Sequence, residues 1–205
     1  MNSINFSQMI KDYDPIKYSD SISQKIFELL EEYTKTFSKT MVVRFDVTYP
    51  KTYIGVEDNS DMSALMKLLI QQCSRNGVSP AYFWVREQSL RSNNQHYHCM
   101  LLLDGNKTCR YYPYIELAEK IWGRILGVNP KGLVHYCDRD PDGNRQANGI
   151  ILRSDDPCYE DKIAIVVRQA MYMAKVHSKG IYNDGFRDFG MTRISSIATL
   201  RRKGQ

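Results

Sequence analysis

Between Thr40 and Pro50 the chain alternates: Val43, Phe45, Val47 and Tyr49 fall on one face, Arg44, Asp46 and Thr48 on the other. A period of two predicts a strand, and Pro50, with no amide hydrogen to give a ladder, ends it. The polar face is either solvated or a place where something binds, since three such residues in a row are costly to bury unpaired. A second run, Tyr82 to Gln88, predicts a strand. A third, Gln95 to Leu103, follows a polar loop from Ser89 to Asn94, so the two runs form a hairpin. Shorter strands are predicted over Gly132 to Asp138 and Asn148 to Arg153.

Between these runs the apolar period lengthens to that of a helix. Ser21 to Lys39 carries Ile22, Ile26, Phe27, Leu29, Leu30 and Tyr33, with Ser21 or Asp20 as cap. Ser60 to Asn76 repeats the pattern and stops at Asn76-Gly77. Tyr114 to Leu126 does so again and closes on Gly127, and Glu160 to Lys179 is the last strong helix. Residues 1–20 read as an irregular arm, and Arg201-Arg202-Lys203 as a frayed basic tail. Helices alternating with hairpin-linked strands predict an α+β fold: a central antiparallel sheet of about five strands with helices packed on it.

Composition narrows the function only a little. With 28 Lys and Arg against 23 Asp and Glu, the net charge of +5 permits a nucleic-acid partner without requiring one. The 5 cysteines are scattered, odd in number and lack a Cys-x-x-Cys pair, which argues against a zinc ribbon or disulfide scaffold and for a reducing cytoplasm. The first 20 residues are too polar for a secretory signal, and no apolar run is long enough to span a membrane. No Gly-rich phosphate loop appears, which argues against a Rossmann or P-loop enzyme. Asp138-Arg139-Asp140-Pro141-Asp142-Gly143 mimics the start of a calcium loop, but Gly149 stands where the bidentate Glu is needed, so an acidic hairpin turn is expected instead.

The chemistry concentrates on the hairpin. His96 and His98 share one face of their strand, and Tyr97 and Cys99 take the other. If the loop is Gln88 to Gln95, Glu87 pairs opposite His96, and cross-strand partners project to the same face. Glu87, His96 and His98 could then converge on one divalent metal. His135, at the start of another predicted strand, is a possible neighbour. No serine sits in a Gly-x-Ser-x-Gly elbow and no cysteine in an evident catalytic setting; Tyr172 can serve as nucleophile, or it is a helix tyrosine whose ring packs and whose hydroxyl reaches water. A phenol, with a pKa near ~10, needs nearby cations to stabilise its phenolate. Lys175 lies three residues on, and Arg168 and Lys179 extend that helix face.

Taken in order, Val43 to Pro50, Glu87 with His96-Tyr97-His98, and Tyr172-Met173-Ala174-Lys175 with Lys179 and Arg187-Asp188-Phe189-Gly190 resemble the HUH endonuclease superfamily. That superfamily comprises rolling-circle replication initiators, relaxases and single-tyrosine transposases. The likeness is nearest to inovirus gene-II-type replication proteins and their prophage relatives. It implies an HUH/RRM-like domain over residues 40–193, preceded by the arm and packing helix of 1–39 and followed by the tail of 194–205. It also implies metal ligation by His96 and His98 with Glu87 as third ligand, Mg²⁺ or Mn²⁺ as cofactor, and Tyr172 as nucleophile with Lys175 beside it. Positions 168 and 176 are Arg and Val, so a single-tyrosine scheme is expected. Arg44, Asp46, Thr48, Lys179, Arg187 and Arg193 are expected at the DNA. The implied partners are single-stranded origin DNA, linear or folded as a hairpin, and a host helicase and polymerase, with a monomer as the active unit. A relaxase or transposase, or a non-catalytic DNA-binding regulator, are the alternatives.

Overall fold

A computed structural model describes residues 18–53, 58–87, 95–140, 142–175 and 185–203. In these the order is α1 (Asp20–Thr36), β1 (Lys39–Thr48), α2 (Ser60–Arg75), β2 (Ala81–Glu87), β3 (His96–Asp104), α3 (Tyr112–Leu126), β4 (Val134–His135), β5 (Ile150–Arg153), α4 (Tyr159–Met173), β6 (Phe189–Met191) and α5 (Ile194–Lys203). The strands form one antiparallel sheet in the order β4-β1-β3-β2-β6, with β5 also on β1. The fold is α+β, as the alternating periodicities predict, with six strands rather than about five. The extra strand is β6, only three residues long, with Gly190 lying against Trp84; a Cβ there would stand 2.5 Å from the indole. No helix is long and apolar enough to cross a membrane among the described residues.

Strand alternation sends β1 and β3 side chains to two separate cores. Val43, Phe45 and Val47 with Tyr97, Cys99 and Leu101 pack under α2 and α3, where Trp122 is fully buried and donates its indole N–H to the carbonyl of Thr48 at 2.8 Å. Val42, Met100 and Leu102 with Phe83 and Val85 of β2 pack under α1 and α4. Each fully buried aliphatic or aromatic side chain stabilises the fold by about 1.5–3 kcal/mol, so both faces of the sheet are held. Ser19 caps α1 by accepting from the amide of Ile22, α2 ends at Asn76-Gly77, and Gly127 closes α3 in the left-handed region, φ 66°.

Three elements differ from the sequence expectation. The strand expected over Gly132 to Asp138 shrinks to Val134 and His135. Its continuation fails because Cys137 turns left-handed, φ 50°, which takes the chain out of the ladder. Asn148 fills the gap: its amide oxygen accepts from the Arg44 N–H at 2.9 Å and its NH₂ donates to the Arg44 carbonyl at 2.7 Å, so one side chain replaces a strand residue between β4 and β5. Helix α4 stops at Met173 instead of Lys179, because the Ala174 carbonyl accepts from Ser19 N–H at 2.8 Å and Lys175 bridges to Tyr18. Where a frayed tail is expected, α5 forms instead; its Ile197 is fully buried in the core of α1 and α4, and Ser79 donates to the Leu200 carbonyl at 3.2 Å. In the acidic segment Asp140 accepts from the amides of Asp142 and Asn144, turn bonding of the kind expected there, and Pro141 lies outside the described residues.

Candidate functional site

The α4-side face of the sheet is apolar at one end and polar at the other. On β3 it reads Leu102, Met100, His98, His96; on β1, Val42, Arg44, Asp46, Thr48; on β2, Phe83, Val85, Glu87. The apolar half lies beneath α1 and α4. The polar half lies beside the last turn of α4, which carries Tyr172, and the strand pairing decides which side chains meet there. Glu87 stands opposite His96, as the hairpin predicts, and Asp46 stands opposite His98.

His98 is the hub. Its Nε2 lies 2.5 Å from Glu87 Oε2 and its Nδ1 lies 2.8 Å from Asp46 Oδ1, with only 5% of the side chain exposed. An imidazole with a carboxylate at each nitrogen is an imidazolium donating two N–H bonds. Burial alone depresses its pKa, and the bonds to Asp46 and Glu87 outweigh that, leaving it raised. Burial likewise pushes the Asp46 carboxyl up, but the His98 bond and the charges of His98 and Arg44 hold it below the usual carboxylate range. His96 completes the group, its Nε2 3.3 Å from the same Glu87 oxygen.

Glu87, His96 and His98 therefore offer one carboxylate oxygen and two ring nitrogens, all within 4.8 Å of one another. The donor set fits a divalent metal: two imidazoles and one carboxylate on two paired strands, with other positions left for substrate. Asp46 adds the usual carboxylate behind a ligating histidine; holding Nδ1, it leaves Nε2 for a cation.

Tyr172 joins this group from α4. Its ring meets the His98 ring edge-on, centroids 5.3 Å apart and planes at 78°, while 42% of the residue stays exposed. The Arg44 guanidinium lies 4.2 Å from the Tyr172 ring centre and the Lys175 ammonium 4.5 Å from it. Two cations thus face the one exposed aromatic at the cluster. Arg44 is only 9% exposed and pairs with Asp46 at 3.3 Å; its Nε is buried with no hydrogen-bond partner among the described residues. Its guanidinium therefore lies between the Tyr172 ring and the Asp46 carboxylate.

The other expected contacts are less central. Thr48 lies opposite His96, but its hydroxyl donates to the Leu133 carbonyl at 3.2 Å. Arg187 and Arg193 are exposed on either side of β6, with β2 between that strand and β3. Lys179 lies outside the described residues. Sequence reasoning missed the service of Asp46 to His98 and of Arg44 to Tyr172, because both depend on the β1–β3 register and on the end of α4. It also passed over Cys137, whose spacing of two from His135 was the available signal.

Comparison with curated proteins and with solved structures gives no match. A family match does cover most of the chain, from residue 5 to residue 192. Those residues match the YagK/YfjJ C-terminal domain, and the chain belongs to that family.

Proposed function

We propose that this chain is a metal-assisted, single-tyrosine endonuclease that nicks and reseals single-stranded DNA, acting in rolling-circle replication initiation. The observation that carries the reading is the placement of Tyr172 against His98, in one cluster with Glu87, His96, Arg44 and Lys175. The family is prophage-associated, which agrees with a mobile-element replicon.

In this reading the Tyr172 hydroxyl gives up its proton to solvent as its oxygen attacks the scissile phosphorus, the bond to the 3′ oxygen breaks, and a 5′-phosphotyrosyl adduct forms with a free 3′-OH. Lys175 gives a proton to the departing oxygen, and Arg44 offsets negative charge gathering on the phenol oxygen. The adduct keeps the energy of the phosphodiester, so the 3′-OH can prime synthesis or attack the adduct to reseal without ATP. Glu87, His96 and His98 would hold Mg²⁺ or Mn²⁺, which polarises the phosphate and neutralises its developing charge when bound. Asp46 fixes the His98 ring so that Nε2 faces the reaction. Single-stranded DNA would run past the exposed side of Tyr172, with Arg187 and Arg193 as backbone contacts further out and a host helicase and polymerase extending the primer.

The test is to incubate the protein with single-stranded oligonucleotides from its own replicon and Mn²⁺, then look for a protein–DNA adduct that survives denaturation. Wild type forms it and Tyr172→Phe does not, though the variant still binds the DNA. A protein that binds DNA and never forms the adduct is the non-catalytic regulator, and an adduct that survives Tyr172→Phe removes Tyr172 as nucleophile.

A further inference from the structure

A second group of metal-binding donors lies one strand away from the first. Asp46 on β1 stands opposite His135 on β4, and Cys137 follows two residues on. A carboxylate oxygen, a ring nitrogen and the sulfur of these three residues all lie within 4.8 Å of one another. We infer that Asp46, His135 and Cys137 form a thiolate-containing metal site of their own, selective for Zn²⁺ or a similarly soft divalent ion.

Backbone geometry is the first support. Cys137 is the one non-glycine residue with positive φ, 50°, among the described residues. A cysteine in that region is strained, and such strain persists where something compensates for it. The turn takes residue 137 out of the β4 ladder, and the Cys137 sulfur lies 3.5 Å from His135 Nδ1. His135 Nδ1 also accepts from the Cys137 amide at 3.3 Å, so the ring is already aimed at the cysteine.

Donor chemistry is the second. The site Glu87, His96 and His98 has only oxygen and nitrogen donors, which suit hard or borderline ions. Cysteine, histidine and carboxylate together suit tetrahedral zinc, with three protein ligands and a fourth position for water or substrate. Cys137 is 4% exposed and His135 is exposed, so the ion would have a buried sulfur on one side and solvent access on the other. Binding replaces the thiol proton with the metal–sulfur bond, and that proton leaves to solvent. No electron is transferred. The two sites meet at Asp46, whose Oδ1 already holds His98, so ligation there draws carboxylate charge away from the His98 N–H. The inference goes beyond the nicking reading and does not depend on it.

Titration of the metal-free protein with Co²⁺ tests it directly, because a cobalt–thiolate bond gives a charge-transfer absorption that nitrogen and oxygen ligands do not. Wild type should show that band at one equivalent, and Zn²⁺ should abolish it by displacement. Cys137→Ser should remove the band. His135→Ala, at an exposed position that should fold normally, should weaken binding by more than the roughly 10–100-fold typical of losing an outer-shell partner. His96→Ala should keep the band. The inference is overturned if wild type gives no thiolate band, if the band persists unchanged in His135→Ala, or if it disappears in His96→Ala.

Discussion

The ring of Tyr172 meets the ring of His98 edge-on, 5.3 Å between centroids and 78° between planes. This contact links the two halves of the site, since His98 belongs to a hairpin and Tyr172 to the end of a helix more than 70 residues later. The helix stops at Met173, so Tyr172 occupies its last turn, exposed between the buried Met171 and Met173. An anchored ring with an accessible edge suits the nucleophile role proposed for Tyr172.

Arg44 is expected to matter for chemistry more than for DNA affinity. It is buried beneath the Tyr172 ring at 4.2 Å and paired to Asp46, so Arg44→Met removes a charge from the reacting group while keeping much of the packing volume. Adduct formation should slow by roughly 10²–10³, the usual effect of removing one preorganised charge-stabilising donor. Oligonucleotide affinity, read by fluorescence anisotropy, should change by less than about tenfold. A variant that nicks at the wild-type rate sinks the assignment.

The metal preference follows from the ligands. Two imidazoles and one carboxylate bind Mn²⁺ better than Mg²⁺, which favours all-oxygen shells and gives up its water reluctantly. Calorimetry should therefore find Mn²⁺ the tighter ion, and His96→Ala should weaken it while leaving the fold intact, because His96 is the more exposed of the pair, 28% against 5% for the side chains. Equal Mn²⁺ affinity in wild type and His96→Ala would remove His96 from the ligand set.

How much of this was legible in the sequence depended on how far apart in the chain the partners lie. The pairing of Glu87 with His96 could be read because the two strands are consecutive and their polar boundaries at Gln88 and Gln95 suggest the register, and the shared face of His96 and His98 follows from strand alternation. The pairing of Asp46 with His98 could not, since α2 and β2 intervene and nothing local sets that register. The end of α4 was missed for a similar reason: the apolar period runs on past Met173, but the segment before α1 takes the Ala174 carbonyl. Helix α5 was hidden by its charge: among the described residues Ile197 and Leu200 pack on the core, in a sequence that is otherwise mostly polar and basic.

Asn148 is expected to be structural although it lies one strand from the site. It accepts from the Arg44 amide and donates to the Arg44 and Tyr136 carbonyls, at 2.9, 2.7 and 2.5 Å. Asn148→Ala leaves those backbone groups unpaired at a part-buried position, a cost of about 1–3 kcal/mol. The midpoint of thermal unfolding should fall by several degrees, and adduct formation should fall with it as Arg44 loses its fixed backbone. An unchanged midpoint would mean that water replaces the side chain without loss.

The Asp46–His98 pair sets a pH window for stability. The folded-state pKa of His98 is raised, so its contribution is complete below the unfolded value near ~6.5 and is lost as pH rises through the folded one. The folded-state pKa of Asp46 is lowered, so its contribution is complete above the unfolded value near ~3.9 and is lost as pH falls through the folded one. The pair is therefore strongest between about pH 4 and 6.5 and weakens on both sides. Asp46→Asn removes one charge of a bond that is 2.8 Å long and largely buried, at a cost of roughly 1.5–3 kcal/mol within that window. The gap in unfolding midpoint between wild type and Asp46→Asn, measured with chelator present, should peak near pH 5–6 and narrow towards pH 9 and pH 3. Added Mn²⁺ should act oppositely for wild type, stabilising more as pH rises, because the cation competes with the proton on His98 Nε2. A gap that stays constant from pH 4 to pH 9 would show that His98 is neutral in the fold and that Asp46 holds it only as an ordinary hydrogen-bond acceptor.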